Sequence, residues 1–128
     1  MGRALSRLQI DNGVAVIHLG EINREDVIPQ MAEFCLQIEG VEWSAVSGLV
    51  KDRVVICVRN VGYVKSAGDI MKRLYDDIGS AGGHRAMAKA VVPLDRFRER
   101  FGEVSEKSIR DAMVPMITDR DQIELALN

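Results

Sequence analysis

The segment Gly79-Ser80-Ala81-Gly82-Gly83-His84-Arg85 puts three glycines, an imidazole and a guanidinium into one short stretch. Glycines lack a Cβ, so successive backbone N–H groups there can converge on an oxyanion as an anion-binding nest. His84 can donate to a phosphate oxygen, and Arg85 can add a charge-assisted contact. The chemistry this points to is phosphate binding. A helix C-cap followed by a flexible turn would use the same residues and bind nothing. The two readings part at Gly83: an exposed phosphate loop tolerates substitution there without loss of stability, and a helix cap does not. Arg59 is the second candidate. It follows the apolar run Val54-Val55-Ile56-Cys57-Val58, at the strand end where α/β sheets place ligands. It is either a ligand contact or a solvated flank. If Arg59 and His84 share a cleft, two donors face one phosphate.

Hydrolytic machinery is missing from the pattern. Two-metal hydrolysis needs a constellation of carboxylate and imidazole ligands around a metal pair, and this chain has only His18 and His84 and no Asp-His-His triplet. Asp76-Asp77 is an adjacent acidic pair, and neighbours on a helix point away from each other. No metal site is therefore expected in this chain. His18 reads as a lone strand imidazole. Cys35 and Cys57 fit no metal or redox spacing and read as buried reduced thiols.

Several elements must position the candidates. Leu8 to Leu19 reads as a hairpin turning at Asn12-Gly13, since that pair supplies the positive φ such turns need. Val27, Ile28, Met31, Phe34, Cys35 and Ile38 recur at helical spacing. That helix starts near Asp26, with Pro29 in its first turn, and closes at Gly40. Two strands follow, Glu42 to Val50 and Arg53 to Val58, joined at Lys51-Asp52. The second is apolar without alternation, the mark of burial on both faces. Ser66-Ala67-Gly68-Asp69 is a capping box for a helix ending at Gly79. A strand runs from Met87 to Leu94. The remainder, 95–128, reads as a tail of short helices capped at Asp95, Ser105 and Thr118, with Pro115 against one long helix. Strands separated by amphipathic helices give an α/β fold, a mixed sheet of about five strands flanked by helices. The two hairpins exclude a wholly parallel sheet.

At 128 residues, the chain fits one domain, 1–128, able to bury a core without staples. Its 47% hydrophobic and 28% charged residues are ordinary for a globular protein. No apolar run reaches the length of a membrane span, and the start lacks a signal-peptide pattern, so the expectation is no membrane and a cytoplasmic location. The net charge of −2 predicts no general affinity for polyanions. Residues 51–100, however, hold 11 Lys/Arg against 6 Asp/Glu, which marks where an anion would be better received.

Val54–Asn60, then a helix, then Gly82-Gly83-His84-Arg85-Ala86-Met87-Ala88-Lys89-Ala90 resemble the signature of the C-terminal DHH-associated domain of DHH phosphoesterases. In that family a strand ending in Arg-Ser precedes a helix, a glycine-rich loop ending in His, and an Ala-Ala-Gly strand. Glu39-Gly40-Val41 resembles the family's approach to the strand pair. The similarity spans about residues 8–94. Asn60 stands for the usual Ser, Ala81 for a first Gly, and Lys89 for the Gly of Ala-Ala-Gly. Lys89 either adds charge to the site or faces solvent.

The resemblance implies a substrate-binding domain of a metal-dependent phosphoesterase that acts on short oligonucleotides, pAp or related phosphoesters. The oligoribonuclease, pAp-phosphatase and RecJ-like branch, with proteins labelled exopolyphosphatase-related, has this layout. The N-terminal DHH domain, absent from this chain, would bind Mn or Mg and hydrolyse, so the isolated chain is expected to be catalytically incompetent and to hold no cofactor. By the same resemblance Gly82, Gly83 and His84 would contact phosphate, and Arg59 the substrate. Implied partners are a phosphorylated small molecule or short single-stranded oligonucleotide and the DHH domain itself, with homodimerisation left open. A nucleic-acid-binding module without hydrolysis is the alternative, as in the related domain of alanyl-tRNA synthetases, whose loop has Arg where this chain has His84. A polyphosphate-directed domain is another. Sparse aromatics, 5% of the chain, count against extensive base stacking.

Overall fold

The computed structural model describes residues 9–61 and 65–118. Asn12 and Gly13 both take positive φ, 55° and 80°, as a two-residue hairpin turn requires. Gln9–Asp11 (β1) thereby folds back antiparallel on Val14–Glu21 (β2). Leu8, the expected first residue of the hairpin, lies outside the described residues. Val27–Cys35 forms helix α1, burying Ile28, Met31, Ala32 and Cys35. Pro29 falls in its first turn, where a missing N–H leaves no bond unmade. The helix stops at Cys35 rather than at Gly40. Residues 36–40 continue as turns, with the Ile38 N–H on the Cys35 carbonyl and the Val41 N–H on that of Ile38.

Trp43–Val50 (β3) and Arg53–Asn60 (β4) pair antiparallel around Lys51, which takes φ 56°. Helix α2, Ala67–Tyr75, is capped by Ser66, whose Oγ accepts from the Asp69 N–H at 3.4 Å. Then come Ser80–Gly83 (β5), Met87–Pro93 (β6), Leu94–Phe101 (α3) and Glu106–Thr118 (α4). The order in the sheet is β1-β2-β3-β4-β6-β5. Among the described strands only β2 and β3 run parallel, linked by the α1 crossover. The fold is α/β with a mixed sheet, and its sixth strand is the glycine segment itself.

Alternate residues of the sheet serve two cores. On one face Ala15, Ile17, Val46, Val55 and Cys57 pack under Ile28, Met31 and Ala32 of α1. On the other, Val14, Val16, Val54, Ile56, Val58 and Ala90 pack under Met71, Tyr75, Phe97, Ile109 and Met113. Strand β4 sits between both, which explains its unbroken apolar run. The segment from 94 to 118 supplies Phe97, Ile109 and Met113, all fully buried, so it completes the second core.

Among the described residues the tail holds two short helices rather than one long one, as expected, and α4 runs through Pro115 without a break, the proline standing on its exposed side. One tail expectation changes. Helix α3 starts at Leu94, and Asp95 accepts from the Arg96 N–H instead of capping. Ser105 does cap α4: its Oγ accepts from the Ser108 N–H at 3.1 Å. Thr118 closes the described helix, its hydroxyl donating to the Val114 carbonyl. The helix expected beyond it lies outside the described residues. No helix among the described residues is long and apolar enough to cross a membrane.

His18 pairs across the sheet with Ser47, its Nδ1 lying 2.8 Å from the Ser47 Oγ. Burial holds its pKa below the ordinary 6.5. The unfolded chain therefore takes up the proton first, and stability drops as pH falls through about 6.5 until the folded form also protonates. We expect urea midpoints to decline between about pH 8 and pH 5.5, and the His18→Gln variant to show a flatter profile over that window. Parallel profiles for the two proteins would contradict this assignment.

Candidate functional site

The expected phosphate loop is an edge strand. Ser80–Gly83 pairs with β6 in the register Ser80 with Val91, Ala81 with Ala90, Gly82 with Lys89 and Gly83 with Ala88. An extended strand points successive N–H groups to opposite sides, so no convergent nest forms there. Residues 84–86 make the turn, and their backbone groups are largely committed. The His84 N–H donates to the Met87 carbonyl at 2.8 Å, while the His84 and Arg85 carbonyls accept from the N–H groups of Gly68 and Ala67. The Ala86 carbonyl accepts from the Asn60 N–H. The turn thus caps helix α2, satisfying N–H groups that would otherwise be open at its start.

Asn60 explains itself in this arrangement. It is buried, and its side-chain amide donates to the Arg85 carbonyl at 2.9 Å. It ties the end of β4 to the turn, a role that a shorter serine would not reach in the same way. Gly68 is the close-approach point: a Cβ there would lie 2.9 Å from the Gly83 carbonyl oxygen, so α2 rests directly on the β5 backbone.

Arg59, Gly82, Gly83 and His84 line one cleft of about 330 Å³. Its other walls include Pro29 of α1, Cys57 of β4, and Met87, Ala88 and Lys89 of β6. Arg85 does not line it. Arg85 contributes its carbonyl to the cap of α2. Sheet register accounts for the grouping: Arg59 faces Met87 and Cys57 faces Lys89 across β4 and β6. The Arg59 Nη1 lies 3.5 Å from the Met87 sulfur, a weak acceptor for a guanidinium. Its Nε is buried with no hydrogen-bond partner, an unmade bond that counts against the fold. His84 is exposed and accepts the Ala86 N–H on Nδ1 at 3.2 Å. That contact leaves Nε2 as the protonated, donating nitrogen of the neutral ring.

Two acidic residues were not anticipated. Glu25 and Asp26, just ahead of α1, also line the cleft. Glu25 pairs with Lys89 at 3.2 Å and Asp26 with Arg24 at 2.7 Å. The cleft is therefore mixed in charge, not uniformly basic as the 51–100 balance suggested. Nothing local in the sequence brings residues 25 and 26 here; the α1 crossover does. Cys57 and Met87 were readable in principle, since each lies two residues from Arg59 or Lys89 on its own strand. The Cys57 thiol is pushed up to about 11 by burial, with Lys89 opposing and Glu25 reinforcing the shift, so it is neutral. His18 lies outside the cleft. Among the described residues no three His, Cys, Asp or Glu side chains gather as a metal-holding group, and Asp77 is engaged by Arg100 through two contacts of 2.7 and 2.6 Å. The described residues do not fit a catalytic metal pair.

No family model matches the chain. It is 27% identical over 123 residues to an uncharacterized protein of Methanocaldococcus jannaschii, covering 92% of this chain and 25% of that protein. Among solved structures it resembles an exopolyphosphatase-related protein from Bacteroides fragilis, with TM-score 0.66 and 16% identity, covering 99% of this chain and 35% of the other. It resembles the C-Ala domain of Aquifex aeolicus alanyl-tRNA synthetase, with TM-score 0.59 and 12% identity, covering 84% and 97%. It also resembles a pGpG-specific phosphodiesterase of Vibrio cholerae, with TM-score 0.58 and 12% identity, covering 92% and 38%. These likenesses show a shared fold. The chain spans about a quarter of the curated relative, and little over a third of the two phosphoesterase-related structures. In those larger proteins this fold is one part.

The two glycines of the cleft should respond differently to a side chain. Gly83 takes φ 151°, and a Cβ there would sit 2.4 Å from the Met87 carbonyl oxygen, whereas one at Gly82 meets only the Lys72 Cε at 3.8 Å. Gly83→Ala should cost about 2–4 kcal/mol and Gly82→Ala less than about 1 kcal/mol, measured by urea denaturation. The expected tolerance of Gly83 is thus reversed by the strand geometry. Equal midpoints for both variants would show that β5 is not held as described.

Proposed function

We propose that this chain is the substrate-binding domain of a metal-dependent phosphoesterase of the DHH type, and that the cleft between Arg59 and His84 receives a phosphate of a nucleotide or short oligonucleotide. The observation that carries this reading is the convergence of Arg59, Gly82, Gly83 and His84, from two separated segments, on one cleft. The Arg59 guanidinium, bonded only weakly to the Met87 sulfur, and the exposed His84 imidazole supply the donors. The bare strand edge lets a ligand approach the backbone. Resemblance to two phosphoesterase-related structures supports the same reading. The mostly apolar floor of Pro29, Met87 and Ala88 suits the sugar or base that accompanies a phosphate.

In this reading the chain's residues bind and orient, and the hydrolytic metals, Mn or Mg, belong to a companion DHH domain. Arg59 would neutralise the phosphate and His84 would hold it by a hydrogen bond while that domain carries out the chemistry. A second reading, nucleic-acid binding without hydrolysis, draws on the near-complete coverage of the C-Ala domain. The carboxylates of Glu25 and Asp26 in the cleft weigh against a long polyanion, which needs a continuous basic track.

Calorimetric titration with pAp tests the phosphate site. His84→Ala and Arg59→Ala should each weaken binding about tenfold or more, the value of a charge-assisted hydrogen bond, with unchanged melting for His84→Ala. Wild-type affinity in both variants would remove the phosphate assignment. The purified chain should also leave pAp intact in Mn²⁺ over hours. Turnover that persists after repurification and disappears in His84→Ala would place catalysis in this domain and overturn the division of labour.

A further inference from the structure

Lys89 occupies the position at which the cleft departs most from the glycine-lined pattern, and the structure gives it a definite partner. Its Nζ lies 3.2 Å from the Glu25 carboxylate, with the two side chains 48% and 38% exposed. Glu25 belongs to the approach to α1, 64 residues away in sequence, so the pair joins two separate segments at the cleft. Both residues line it. Lys89 faces Cys57 on one side and Gly82 on the other. Met87, two residues earlier and on the same face of β6, touches Arg59. Same-face positions on a strand are separated by about 7 Å. Arg59 and Lys89 therefore emerge into one cleft as two cationic positions set apart from each other, with His84 at the turn beyond.

We propose that Lys89 forms a second anion subsite, held by the chain's own Glu25 carboxylate, and that a ligand carrying two phosphate groups displaces Glu25 from it. This rests on the phosphate reading of the Arg59–His84 end. Several observations favour it. An anionic oxygen already fits against the Lys89 Nζ, since Glu25 places one there. A half-exposed pair of this kind is weak and readily exchanged. The neighbouring groups do not compete for Lys89: Asp26 is engaged by Arg24, and the Cys57 thiol is uncharged. A same-face separation of this size suits two phosphates on one ligand, one at Arg59 and His84 and one at Lys89, rather than a single tetrahedral group. Glu25 then serves as the resident counter-ion, which a bisphosphate must displace and a monophosphate leaves in place.

The test compares adenosine 3′,5′-bisphosphate with adenosine 5′-monophosphate by calorimetry on the full 128-residue chain, with melting curves for every variant. Lys89→Ala should weaken the bisphosphate about tenfold and change the monophosphate by less than about twofold. Glu25→Gln should do the opposite, tightening the bisphosphate by about threefold while leaving the monophosphate alone. Equal losses for both ligands in Lys89→Ala would mean that Lys89 acts only through overall charge, and would overturn the subsite. Weaker bisphosphate binding in Glu25→Gln would make Glu25 a ligand contact, and would overturn it as well. His84-dependent monophosphate binding together with Lys89-independent bisphosphate binding sinks the subsite alone. Failure of the wild type to bind either nucleotide sinks the phosphate reading and the subsite together.

Discussion

The turn at residues 84–86 is where the fold and the cleft become one object. Its carbonyls accept the first N–H groups of helix α2, its His84 N–H closes the β5–β6 hairpin, and Asn60 binds it from the end of β4. Each bond satisfies a backbone group that would otherwise be stranded near the surface. Because three elements meet through these few atoms, the imidazole of His84 is carried on a framework with little freedom. The same contacts consume the N–H groups that a helix start would normally offer an anion. The donors left open around the cleft are therefore side chains rather than the backbone of the turn.

That shift gives the cleft its character. With a glycine edge on one side and α1 on the other, Arg59 and Lys89 project between a nearly bare strand and a wall that carries Glu25 and Asp26. The cations are neither stacked together nor left alone. Arg59 is held by a sulfur, which a better acceptor would replace, and Lys89 by a carboxylate, which an equivalent anion can exchange. Such provisional partners keep long charged side chains extended into the cleft at low cost in order.

Much of this was legible in the residues. Asn12-Gly13, Ser66 with Asp69, and the uniform apolarity of Val54–Val58 each state a local backbone or burial requirement that only one structure satisfies well. Arg59 and His84 were legible as donors for the same reason, since their types and flanks are informative without neighbours. What escaped depended on distance in space. Glu25 and Asp26 reach the cleft through the crossover connection, which no local pattern encodes. The strand character of Ser80–Gly83 was hidden because glycine has no β-propensity to display; its pairing comes from β6 and from the close rest of Gly68 upon it.

Helix α4 has a consequence for how the protein comes into being. Ile109 and Met113 cover Val14 and Val16 of β2, so residues near the start of the chain find their cover close to its other end. Synthesis proceeds from the N-terminus. During most of it, one side of the sheet has no lid, although α1 is already available for the opposite side. The α1 half can mature early, and the half beneath α2, α3 and α4 closes only when the last of them arrives. Such long-range closure slows folding and leaves apolar strand surface open for longer, which makes the nascent chain, rather than the finished domain, the state most in need of shelter.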